Sequence, residues 1–234
     1  MSTQDTLAAI TADDRRRRTA NDQGRRSEQW APLAGVVFAV AFVAGFLTAG
    51  DRPSVDAFGR EIIAHYDDAC SVLAVVVAAP VTALALLVFA GLLRQRQRAA
   101  GADWLATAAF GGAIVYAAGL GPVATIRLAV LDAADLGQPE VAQALNLLDN
   151  NTLMPVLVGL AVTLLATGGH ALTARSRPTW LGRSTLALGV LAIAGPAGVI
   201  ALLLFPVWVL VSAAVLFRPR PDTTTTTTPL EVSQ

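Results

Sequence analysis

Apolar positions along the chain fall into long uninterrupted stretches and do not alternate with polar ones. Five windows contain no Asp, Glu, Arg or Lys, and they cover residues 29–50, 69–93, 104–126, 150–174 and 184–217. A helix needs about 20 apolar residues to cross a hydrocarbon layer about 30 Å thick. Because backbone amides in lipid must be paired within their own segment, each of the first four windows predicts one membrane-spanning helix.

The fifth window predicts two spans because it is too long for one. As a single helix its 34 residues would measure about 51 Å at ~1.5 Å per residue. It also contains Gly195-Pro196-Ala197-Gly198, a pattern typical of a turn or kink. We therefore expect two closely linked spans, at 180–194 and 197–217, and six in the whole chain. The alternative is one long kinked helix, which makes five spans.

The composition supports a membrane protein and excludes several other classes. Of 234 residues, 54% are hydrophobic and only 15% are charged, and the mean hydropathy is +0.57; soluble domains average about 25% charged residues. A disordered chain, a disulfide scaffold and an ordinary cytosolic enzyme are thereby excluded. We expect an all-α integral membrane bundle at 30–217, between a disordered cytoplasmic arm at 1–29 and a disordered Thr-rich tail at 218–234.

The distribution of arginine predicts the orientation. All 17 basic residues are Arg, and with six spans and an inner N-terminus 14 of them lie in cytoplasmic segments. Only Arg52, Arg60 and Arg127 lie outside. Basic residues are retained in the cytoplasm, so we expect a protein of the cell membrane with both termini inside. The formal net charge is zero, which gives no reason to expect nucleic-acid binding.

Two connections on the outer side show helical periodicity of their own. One runs over 54–66 and the other begins at Pro139, which is tolerated in the first turn of a helix. Their apolar faces would be Val55, Phe58, Ile62 and Tyr66 in the first and Val141, Leu145 and Leu148 in the second. Apolar residues at this spacing indicate amphipathic helices, so we expect two short helices lying on the outer leaflet.

Small residues recur every four positions in two of the spans. These rows are Ala41, Gly45 and Ala49 in the first span and Ala109, Ala113, Ala117 and Gly121 in the third. Small residues at this spacing let two membrane helices approach closely. We expect the rows to pack within the bundle. The alternative is that they join a second copy of the chain or another membrane protein.

The C-terminal part of the chain resembles a known kind of protein. The motifs are Pro178-Thr179-Trp180-Leu181-Gly182, Gly195-Pro196-Ala197-Gly198 and Phe205-Pro206-Val207-Trp208-Val209-Leu210. With these, most of 31–217 is similar to small uncharacterised multi-pass membrane proteins of high-GC Gram-positive bacteria. The motifs consist of structural Gly, Pro and Trp residues. The resemblance therefore implies a fold, and it supplies no activity and no catalytic residues.

Arg127 is the most informative single polar residue of the spans. It follows Gly121-Pro122 near the outer end of the third span, and a buried arginine is costly unless it is paired or reaches the surface. It can extend to the outer surface, or it can contact an anion or a lipid phosphate in an outer-facing pocket. A further possibility is an ion pair that locks the outer helices over the bundle. The candidate partners are Asp67, Asp68, Asp132 and Asp149.

Other polar groups suggest weaker hypotheses. Glu61, His65 and Asp68 share one helical face, and two carboxylates with an imidazole can bind a divalent metal ion; a solvated helix face is the alternative. Tyr116 and Thr125 are expected to hydrogen bond to neighbouring helices. We find no phosphate-binding loop, zinc-protease motif or nucleophile elbow, and so we predict no catalytic residue and no cofactor.

Two classes of function remain. The first is a non-enzymatic component of the membrane that binds a protein partner, senses a signal or belongs to the cell envelope. The second is a carrier of a small molecule or lipid with an outer-facing pocket near Arg127. No span centre holds a charged residue, which argues against an ion-coupled transporter. A pocket lined by Arg127 would favour the carrier, whereas a solid bundle with an exposed row of small residues would favour the partner-binding protein.

Overall fold

The computed structural model of the chain describes residues 30, 32–50, 53–66, 69–173 and 179–216. All regular structure within these residues is helical. The arm at 1–29 and the tail at 218–234 lie outside the described residues. The all-helical fold predicted from the sequence is confirmed for the part of the chain that is described.

The helices match the apolar windows. They are α1 (Pro32–Thr48), α2 (Gly59–His65), α3 (Ala69–Ala99), α4 (Asp103–Asp135), α5 (Pro139–Asn151), α6 (Leu153–Thr173), α7 (Thr179–Ile193) and α8 (Gly198–Leu216). Four helical stretches are long and apolar enough to cross a membrane, namely Cys70–Ala99, Asp103–Asp135, Pro139–Leu172 and Gly195–Val215. The other two apolar helices, α1 and α7, are shorter.

The last apolar window forms a helical hairpin. A single 3-10 turn, Gly195–Ala197, separates α7 from α8, and Gly195 adopts a φ of +61° that other residues rarely accept. The indole Nε1 of Trp208 donates a hydrogen bond of 2.8 Å to Oγ1 of Thr185, which lies 23 residues earlier. In one continuous helix these residues would be about 35 Å apart. The interpretation of 180–217 as one kinked helix is therefore wrong.

The closest contact within the bundle joins α4 to α6. A Cβ added to Gly112 would lie 2.6 Å from the amide nitrogen of Thr163, and one added to Gly159 would lie 2.7 Å from the carbonyl oxygen of Gly112. Of the predicted row on α4, Ala109 and Ala113 are buried, whereas Gly121 is exposed and has no neighbour within 4 Å. The face of α4 that contacts α6 therefore includes Gly112 and is rotated about the helix axis away from Gly121.

The two short helices α2 and α5 pack together over one end of the bundle, and we call this pair the helical cap. Ile62 and Tyr66 of α2 are buried there against Val130 of α4 and Ala142 of α5. The predicted start at residue 54 is wrong, because α2 begins at Gly59. As a result Val55 and Phe58, expected on its apolar face, precede the helix, and both are exposed.

Helix α5 begins at Pro139 as predicted. It buries Ala142, Asn146 and Asp149. The side-chain amide of Asn146 donates to the carbonyl oxygen of Ser54 at 3.1 Å, which joins α5 to the segment before α2. On the predicted apolar face, Leu145 packs against the buried residues of the cap, whereas Val141 is 45% exposed and Leu148 is 52% exposed. The contact of that face with the outer leaflet stays a prediction.

Candidate ligand-binding cavity

A partly open cavity of about 430 Å³ lies between the helices at the capped end of the bundle. Its wall is formed by the halves of α1, α3, α4, α6 and α8 that are nearest the helical cap, together with Asn150 of α5. Most of the lining side chains are apolar. The volume is within the range of about 300–1,000 Å³ that is usual for small-molecule sites.

The space exists because two facing helices carry small side chains. The row Ala41, Gly45 and Ala49 of α1 borders the cavity, as do Ala78 and Ala79 of α3. The helices meet closely at one level, where a Cβ on Gly45 would lie 2.8 Å from that of Ala78. Elsewhere the short side chains leave the volume unfilled. The row that the sequence assigns to packing thus also forms a wall of the cavity.

Tyr116 lies at the deep end of the cavity. It is fully buried, and its hydroxyl has no hydrogen-bond partner among the described residues. Its ring contacts those of Phe38 and Phe205, which fix its position. The expectation that it bonds to a neighbouring helix is wrong, and so is the same expectation for Thr125. The exposed Thr125 hydroxyl bonds to carbonyl oxygens of its own helix.

A buried ion pair lies where the cavity meets the helical cap. Nε of Arg127 is 3.6 Å from Oδ2 of Asp149, and the two side chains are only 5% and 1% exposed. Of the proposed carboxylates that the structure describes, Asp132 and Asp149, the second lies beside Arg127. At 3.6 Å the contact is electrostatic and exceeds hydrogen-bond length. Arg127 borders the cavity, and Asp149 does not.

Among the other candidate residues, those that the structure describes do not border the cavity. Asp132 is exposed on α4, and Asp67 and Asp68 lie outside the described residues. A carboxylate oxygen of Glu61 accepts a hydrogen bond from the backbone amide of Phe58 at 3.3 Å. The ring of His65 packs edge-on against that of Tyr66.

The described residues contain no group of three His, Cys, Asp or Glu placed to hold a metal ion. Because Asp68 is not described, the metal site formed by Glu61, His65 and Asp68 stays a prediction. Oε2 of Glu61 already holds the first turn of α2. It would have to leave that amide, or use its second oxygen, to bind a metal.

Together these features define a helical bundle with membrane-compatible helices and one cavity that is polar at both ends and apolar between. Comparison of the chain with known protein families, with curated proteins and with solved structures finds no match. The function is therefore argued from the cavity and its surroundings.

Proposed function

We propose that the chain is an integral protein of the cell membrane with six spans and that it binds a small amphiphilic molecule in the cavity beside Arg127. In this proposal α1, α3, α4, α6, α7 and α8 cross the membrane, both termini are cytoplasmic and the helical cap is outside. The molecule is bound and carried or sensed without chemical conversion. We also propose membership of the multi-pass family that the sequence resembles. The observation that carries the proposal is the cavity.

Exposed tryptophans support the six-span arrangement. Trp30, Trp104 and Trp180 are 60%, 74% and 56% exposed, and each lies where an apolar helix begins at the end opposite the helical cap. Tryptophan is enriched at membrane–water interfaces. One tryptophan at the start of α1, α4 and α7 indicates that all three enter the bilayer at the same level. The short α1 and α7 are then spans like the longer α4.

The depth of the cavity matches one leaflet of a bilayer. Along α4, Tyr116 lies about 18 Å and Arg127 about 35 Å from Trp104 at ~1.5 Å per residue. With a hydrocarbon core about 30 Å thick, Tyr116 is near the midplane and Arg127 at the outer headgroups. The cavity therefore has the polarity profile of a single lipid-like molecule, with a polar head at Arg127 and an apolar body below it.

The cavity also supports one class of function over the other. A protein that only offers a helix face to a partner has no need of a cavity beside a buried arginine, whereas a ligand-binding protein needs one. We therefore favour the ligand-binding class over the partner-binding one.

The orientation can be measured with the native cysteine. Cys70 is exposed in the first turn of α3, at the capped end. We expect a membrane-impermeant maleimide to label it in intact cells. A cysteine at position 96 in a Cys70→Ser background should be labelled only after permeabilisation. Labelling of position 96 in intact cells would contradict the proposed orientation.

Filling the cavity should remove the ligand. Ala41 borders the cavity, whereas Ala44 lies exposed on α1 and does not. We expect native mass spectrometry of the full chain, purified from its own membranes in mild detergent, to show about one small amphiphile per chain. Ala41→Phe should lose this species and Ala44→Phe should keep it. Equal retention by all three proteins would mean that the bound lipid is on the surface, and the proposed function would be rejected.

A further inference from the structure

Helices α1 and α8 are in contact in the half of the bundle opposite the helical cap. A Cβ added to Gly35 of α1 would lie 3.4 Å from side-chain atoms of both Val209 and Ala213 of α8. At the deep end of the cavity the rings of Phe38 and Phe205 meet edge-on, with their centroids 5.3 Å apart. These contacts close the gap between the two helices below the cavity.

Toward the cap the same two helices separate. Phe42 and Phe46 of α1 border the cavity, and so do Leu202 and Val199 of α8. Along both helices the exposure of these side chains increases toward the cap. Leu202 is buried and Phe42 is partly buried, whereas Val199 is 39% exposed and Phe46 is 49% exposed. The space between α1 and α8 therefore widens and reaches the surface of the bundle between Phe46 and Val199, and we call this gap the lateral opening.

The lateral opening lies at the depth of the outer leaflet in the proposed arrangement. The ring of Phe38 contacts that of Tyr116, which is near the midplane. Phe46 follows Phe38 by eight residues, or about 12 Å at ~1.5 Å per residue. Half of a hydrocarbon core about 30 Å thick is about 15 Å. A gap at this depth between two apolar membrane-spanning helices faces the acyl chains of the outer leaflet.

We propose that the molecule in the cavity is a lipid of the outer leaflet and that its acyl chain enters sideways through the lateral opening. This inference rests on the proposed function and specifies the source of the ligand. By this route the chain stays in hydrocarbon and the head stays at the level of Arg127, so neither part crosses a medium of opposite polarity. A second acyl chain, where the lipid has one, remains in the bilayer outside the opening.

Two pairs of neighbouring residues offer matched variants. Val199 borders the lateral opening, whereas Ile200 is exposed on α8 and does not border the cavity. We expect Val199→Trp to narrow the opening and to load lipid about tenfold more slowly than the unmodified chain, with Ile200→Trp unchanged. Phe46→Ala should widen the opening and load lipid faster. Leu47, exposed on α1 and away from the cavity, gives the control Leu47→Ala. If Val199→Trp does not fold, this second pair still tests the inference.

Loading is measured from vesicles of phosphatidylcholine and phosphatidylglycerol with deuterated acyl chains. The full chain, purified with its own amphiphile, is inserted into these vesicles and extracted in mild detergent at successive times. Native mass spectrometry then counts the deuterated lipid bound to each chain. Because a lipid passes the opening in both directions, a narrower opening should slow loading and release by the same factor. A lost contact with the bound lipid would change release alone.

The outcomes separate the two proposals. If Ala41→Phe abolishes the binding of deuterated lipid but Val199→Trp loads as fast as Ile200→Trp, the cavity binds lipid and lateral entry is wrong. Asn150 borders the cavity at its cap end, so slower loading in Asn150→Trp alone would assign entry to that end and would also overturn the inference. If Ala41→Phe binds as much deuterated lipid as the unmodified chain, the proposed function fails as well.

Discussion

Replacement of Arg127 by Gln is expected to lower the free energy of unfolding by about 3–5 kcal/mol, because it removes a buried guanidinium that lies 3.6 Å from the buried carboxylate of Asp149. Asp149 is 1% exposed, so water cannot take the place of the guanidinium without rearrangement of α5. Unfolding of the full chain in mild detergent, followed by tryptophan fluorescence, measures the change. A loss this large would destabilise the contact of the helical cap with the bundle.

The double variant Arg127→Gln/Asp149→Asn separates the charges from the shape of the site. Both side chains then remain close to their original size and neither is charged. We expect it to recover most of the stability lost in either single variant, as buried pairs replaced as a unit often do. Asp132→Asn, on the exposed side of the same helix, serves as the control and should be neutral. If Arg127→Gln is as stable as the unmodified chain, the pair does not hold the cap.

The helices of this bundle are predictable from sequence because lipid permits so few alternatives. Uncharged windows longer than 20 residues must pair their own amides, and α3, α4 and α6 fall where those windows do. The break at Gly195-Pro196 was also predictable, since that sequence favours a turn. The residue at which α2 begins could not be predicted from the sequence. Nothing in residues 54–58 prevents a helix, and the helix starts at Gly59, where a Cβ would collide with the backbone of Pro139.

The candidate site was predictable in its residues and not in its geometry. Sequence reasoning selects Arg127 and four possible carboxylates, but the choice of Asp149 depends on the rotation of α5 about its axis. Periodicity places Val141, Leu145 and Leu148 on one apolar face, and it gives no sign that the helix buries Asn146 and Asp149 in the protein. The spacing of apolar residues indicates which face of a helix is apolar. It does not indicate whether an apolar face at the end of a membrane bundle contacts protein or lipid.

The cavity itself could not be predicted from the spacing of residues in the sequence. Rows of small residues allow two helices to meet, and the same rows leave a void where the helices diverge. Both outcomes occur on α1, since Gly45 is in close contact with α3 while Ala41 and Ala49 border the cavity. The sequence feature that could indicate the cavity is Tyr116. It is a polar side chain among apolar neighbours, and its hydroxyl needs a hydrogen-bond partner when it is buried.

A single methyl group at the contact of α4 and α6 is expected to distinguish two adjacent glycines. A Cβ at Gly112 would lie 2.6 Å from the amide nitrogen of Thr163, whereas one at Gly111 has no atom within 4 Å. Gly112→Ala should therefore cost about 1–3 kcal/mol of stability through overpacking against backbone that cannot yield. Gly111→Ala should stabilise the protein by up to about 1 kcal/mol, because alanine favours the helix. Thermal unfolding in mild detergent measures both.

The same contact connects packing with ligand binding. A Cβ at Gly159 would meet the backbone amide of Tyr116 and the carbonyl oxygen of Gly112, so Gly159→Ala must displace α4 at the deep end of the cavity. We expect it to lose stability as Gly112→Ala does and also to bind the amphiphile that is purified with the unmodified chain about tenfold more weakly, a loss near 1.4 kcal/mol. Gly111→Ala should leave that affinity unchanged. Full affinity in a destabilised Gly159→Ala protein would show that Tyr116 does not position the ligand, and the bound molecule would then end above it.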